Sequence, residues 1–94
     1  MIEVMLQPNL SHCIETVAKR EYERVLGQLM KSGEEDSQLE QRLELLRLFL
    51  ESADFGTLRS RCDELLLKGK QIEVKLKAIA EPPEYEIEIE EVIR

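Results

Sequence analysis

At 94 residues the chain is long enough for one small domain with a core, at a high ratio of surface to volume. Apolar residues make up 43% and charged residues 35%, a globular profile that excludes a disordered tract, and no apolar run is long enough to span a bilayer. A formal charge of -7 argues against non-specific attraction to nucleic acid or to anionic lipid. With aromatic residues at 4% and no Trp, the core has to be built from Leu, Ile and Val. Two cysteines, Cys13 and Cys62, do not make a disulfide framework. The opening residues, Met1 to Leu6, hold no basic segment followed by a long apolar one, so the expected location is the cytoplasm.

Ile2, Val4 and Leu6 alternate with Glu3 and Met5, which predicts a short strand ended by Pro8. Such a strand would add a third member to a C-terminal ribbon that is marginal by itself. The alternative is an extended terminus. Asn9 or Ser11 is placed to cap a helix running to about Lys31. Its apolar stripe is Leu10, Ile14, Val17, Ala18, Tyr22, Val25, Leu26 and Leu29, with Glu21 read as a solvated residue at the rim. A helix of that length extends roughly 30 Å, more than one compact layer of this size covers. One end is therefore expected to project or to meet a second copy.

Ser32-Gly33-Glu34-Glu35-Asp36 reads as a loop, and Ser37-Gln38-Leu39-Glu40 has the spacing of a capping box. The helix it opens should run to about Glu51. Leu39, Leu43, Leu46 and Leu50 form one stripe, and Leu45, Leu48 and Phe49 fill an adjoining sector. A surface helix needs an apolar arc of only about 100°, and this helix is apolar over well more than half its circumference. Leu45, Leu48 and Phe49 are therefore expected to form the interface of a homodimer. On that basis the protein reads as a non-enzymatic protein–protein interaction module.

Asp54 is placed to cap a third helix whose inner face carries Phe55, Leu58, Cys62, Leu65 and Leu66. Lys68 suits the negative end of its dipole, and Gly69 can take the left-handed turn that closes it. From Ile72 the period changes to two. Ile72, Val74, Leu76, Ala78 and Ala80 alternate with Glu73, Lys75 and Lys77; Tyr85, Ile87 and Ile89 alternate with Glu84, Glu86, Glu88 and Glu90. Pro82-Pro83, which lacks N–H donors, is the expected connection. A register of Ala80 with Tyr85 would set Ala78 against Ile87 and Leu76 against Ile89. It would also set Lys77 against Glu88 and Lys75 against Glu90. The fold class is α+β: three helices packed on a C-terminal antiparallel hairpin, with the N-terminal strand making βαααββ, in one domain over residues 1–94.

Little in the chain calls for chemistry. The single histidine, His12, adjoins Cys13, and helical neighbours point about 100° apart, so the two are not a nucleophile–base pair by themselves. Three soft ligands without recognisable spacing are weak grounds for zinc. The glutamates of the last strand alternate outward, away from the desolvation that a general acid needs. Lys68-Gly69-Lys70 lacks the rest of a phosphate loop. No cofactor, metal or catalytic residue is expected.

The alternative is nucleic-acid binding. A helix, the Ser52-Ala53-Asp54 break, a second helix and a hairpin are similar to part of a winged helix-turn-helix domain. That resemblance implies Thr57, Arg59, Ser60 and Arg61 facing the major groove, with the loop around Pro82 as the wing. The length of the preceding helix, Glu81 and Glu84 in the presumed wing, and the acidic chain all argue against it.

Overall fold

The computed structural model describes residues 2–32, 37–79 and 85–92. The order of elements is β1 (Glu3–Leu6), α1 (Ile14–Ser32), α2 (Ser37–Ser52), α3 (Phe55–Leu67), β2 (Ile72–Ala78) and β3 (Tyr85–Glu91). The three strands form one antiparallel sheet in the order β1-β2-β3. This is the α+β arrangement βαααββ, and the N-terminal alternation is a true strand.

β1 owes its place to Val4 and Leu6, both buried, which stand opposite Leu76 and Val74 of the central strand. After it, the side chain of Asn9 accepts hydrogen bonds from the backbone N–H of Ser11 and of His12, both at 2.9 Å. This closes a tight turn of the kind that short polar side chains favour. The turn delays the helix. α1 begins at Ile14, with the Cys13 carbonyl accepting from the Val17 N–H, so neither Asn9 nor Ser11 is its cap. Leu10 falls outside the apolar stripe and stands 64% exposed.

Ile14, Ala18 and Val25 are the buried residues of α1; in α2 they are Leu45, Leu46 and Phe49. Beyond Val25 and before Leu45 the two antiparallel helices hold no fully buried residue among those described, and the molecule is 44 Å long. This end of the helical pair lies outside the buried core.

α3 ends as its sequence predicts. The Asp54 carboxylate accepts from the Thr57 N–H at 3.1 Å and from the Thr57 hydroxyl at 2.8 Å. At the other end Gly69 has φ +80°. Its N–H donates to the Leu66 carbonyl and that of Lys70 donates to the Leu65 carbonyl, the paired closure that a left-handed glycine permits. The chain thus passes from helix to strand within a few residues.

The hairpin register departs from the expected one by two residues. Ala78 pairs with Tyr85, Leu76 with Ile87, Val74 with Ile89 and Ile72 with Glu91. A two-residue slip keeps every side chain on its face, so alternation alone cannot detect it. The expected ion pairs form all the same, but on the diagonal. Lys77 lies opposite Glu86 and reaches Glu88 at 3.2 Å; Lys75 lies opposite Glu88 and reaches Glu90 at 3.1 Å. Pro82-Pro83 lies outside the described residues, as do Ala80 and the loop at residues 33–36.

Phe49 is wholly buried, and its ring meets Phe55 at 5.2 Å and Tyr85 at 5.9 Å, both edge to face. Phe49→Ala is expected to remove about 3–5 kcal/mol of stability, and Leu48→Ala, at a half-buried position, about 1 kcal/mol or less. Urea denaturation checks both; equal losses at the two positions would contradict this packing.

Candidate interaction surface

The residues expected to meet a second copy are placed otherwise. Leu45 and Phe49 are 5% and 0% exposed within the subunit, and Leu48 is half-buried. α2 packs on α1, on β1 and, through Phe49, on Phe55 of α3, so Leu45, Leu46 and Phe49 are covered by the chain's own elements. Arc width measures how many neighbours a helix needs, not whether they belong to another molecule. The homodimer interface through Leu45, Leu48 and Phe49 is accordingly corrected to a core position for two of the three.

What the structure leaves open is β3. On the inner face of β1 and β2, Val4, Leu6, Ile72, Val74 and Leu76 are buried and only Ala78, at the end of β2, is half-buried, whereas on β3 Tyr85, Ile87 and Ile89 are all half-buried. Tyr85 is tied down by its ring contact with Phe49 and by a 2.8 Å hydrogen bond between its hydroxyl and that of Ser52. The far edge of β3 has no strand beside it among the described residues. The ladder also fixes which backbone groups face that edge. The Val92 N–H donates to the Gln71 carbonyl at 2.8 Å. In an antiparallel pair hydrogen-bonded positions alternate, so Glu86, Glu88 and Glu90 bond to β2. The N–H and carbonyl groups of Tyr85, Ile87, Ile89 and Glu91 point away from it.

The outer face of the sheet is charged. Glu3, Glu73, Glu86, Glu88 and Glu90 share it with Lys75 and Lys77, five carboxylates against two ammonium groups. The Glu90 carboxylate holds the Lys75 ammonium above its ordinary pKa. Glu86 has no ion pair among the described residues, while Glu91 pairs with Lys70 at 2.8 Å.

Thr57, Arg59, Ser60 and Arg61 are all exposed on α3. Thr57 is engaged in the Asp54 cap, and Arg59 lies 4.0 Å from Asp63, bordering a cleft beside Cys13. The residues around Pro82 that would be the wing lie outside the described residues. These positions hold two arginines, one of them beside an acid, and make no continuous basic face.

Cys13 and His12 border different clefts, of about 230 and 520 Å³ respectively. A further cleft, about 580 Å³, runs between the Asn9 turn and the end of α3, and Lys70 is the one ionisable side chain lining it among the described residues. No group of three or more metal-ligating side chains occurs among the described residues. None of their helices is long and apolar enough to cross a membrane. The two thiols differ sharply. Cys13 stands at the start of α1, where the Thr16 hydroxyl, 3.4 Å from its Sγ, and the N–H groups of Thr16 and Glu15 lower its pKa. Burial raises that of Cys62. Iodoacetamide at neutral pH should therefore alkylate Cys13 well before Cys62, with a rate that rises with pH to a midpoint below the ordinary thiol value. Mass spectrometry of the labelled peptides reads the order, and faster labelling of Cys62 would overturn it.

Comparison with known proteins agrees on kinship and is silent on activity. An uncharacterised protein of Archaeoglobus fulgidus is 39% identical over 72 residues, covering 74% of this chain and 81% of the relative. No solved structure matches. The model of one protein family, of uncharacterised function, matches residues 2–91, and the chain belongs to that family.

Proposed function

We propose that the protein is a non-enzymatic interaction module whose docking element is β3. The observation that carries this reading is the unequal cover of the sheet. Val4 and Leu6 of β1 and Ile72, Val74 and Leu76 of β2 are buried, while Ile87 and Ile89 stay half-covered beside a strand edge that is unpaired among the described residues. A seven-residue edge that is both hydrogen-bonding and apolar is where an extended segment adds as a further strand. β1, at the other margin, is a four-residue strand and a poorer template. The test uses the nitrogen-labelled chain in an extract of its host cell. Amide resonances of Tyr85, Ile87 and Ile89 should shift or broaden ahead of the rest, and perturbation confined to other elements would refute the reading.

Self-association through the end of the helical pair outside the core is a second reading. Met30 is 74% exposed there, and Leu26, Leu39 and Leu43 are half-buried. Light scattering at rising concentration should show a mass approaching twice that of the subunit, reversed by Met30→Glu. A constant subunit mass would remove this second reading and leave the first untouched.

A further inference from the structure

The charge on β3 narrows what can lie beside it. Because Tyr85, Ile87 and Ile89 turn their backbone groups to the free edge, Glu86, Glu88 and Glu90 fall at the non-hydrogen-bonded positions of any antiparallel strand added there. At those positions facing residues come closest, with Cα atoms about 4.5 Å apart. The three glutamates therefore select on charge where selection is strongest.

A second copy of this chain is a poor occupant. Antiparallel pairing of β3 with itself, inner faces aligned, sets odd positions against odd and even against even. Glutamate would then meet glutamate along the whole outer row, which destabilises a sheet. The chain already contains the pattern that β3 does accept. Its neighbour β2 offers Val74, Leu76 and Ala78 to the inner face and Lys75 and Lys77 to the outer one, and both lysines reach β3 carboxylates. The outer face still carries more carboxylates than ammonium groups, with Glu86 lacking an ion pair among the described residues.

We infer that the occupant of the β3 edge is a strand from a different protein that alternates apolar residues with lysine or arginine, the apolar ones covering Ile87 and Ile89 and the basic ones standing against Glu86, Glu88 and Glu90. This rests on the reading of β3 as the docking element. It adds the chemistry of the partner and explains how the same edge avoids its own kind.

Three blocked seven-residue peptides test it, alternating valine with lysine, with threonine or with glutamate, each titrated into the labelled full chain. The lysine peptide should shift the β3 amides, bind about tenfold or more tightly than the glutamate peptide, and lose affinity as salt is added. Glu86→Lys alters an exposed residue outside the core, and it should weaken the lysine peptide about two- to fivefold while strengthening the glutamate peptide. Equal binding of all three at β3 would overturn the charge selection and leave the docking edge standing. Binding of none, or binding elsewhere, would overturn both.

Discussion

Burial of Phe49 is the contact on which the rest of the structure leans. The sequence holds four aromatic residues, and three of them meet at this point, one each from α2, α3 and β3. Edge-to-face rings add roughly 0.5–1.5 kcal/mol per pair to the area they bury. In a core otherwise made of aliphatic side chains, this cluster fixes where α2 ends against the hairpin. It brings side chains of α2, α3 and β3 into one contact.

From that anchor the sheet is covered unevenly. β1 and β2 receive most of the cover, while on β3 Tyr85 meets the Phe49 ring and the Ser52 hydroxyl and Ile87 and Ile89 are only partly covered, which leaves an apolar half-face next to a row of glutamates. The two features serve different ends. Apolar cover left incomplete favours an added strand, and like charges along the edge oppose pairing between identical chains.

Much of this was legible in the residues. The alternation from Ile2 to Leu6 predicts a strand, and Asp54 and Gly69 mark the two ends of α3, because caps and left-handed turns depend on local chemistry. What escaped was anything that depends on distance between elements. The hairpin register was displaced by two because period-two patterns repeat every two residues. Leu10 was assigned to a helix because the Asn9 turn has no signal in hydrophobic spacing. An apolar arc does not say whose atoms cover it, and Leu45 and Phe49, which the arc assigns to an interface, lie in the subunit's own core. The open side of β3 had a trace in the sequence, an acidic row backed by isoleucines, but its exposure is decided by where three helices happen to lie.

The pairing of β1 with β2 has a consequence for how the molecule assembles. Leu6 sits 68 positions before its partner Val74, whereas the helical pair and the hairpin join neighbours along the chain. Entropy of loop closure rises with the logarithm of the span, so this union is the one that local segments cannot make early. The four-residue β1, with Val4 and Leu6 set against the central strand, therefore carries a larger loop-closure cost than the hairpin it extends.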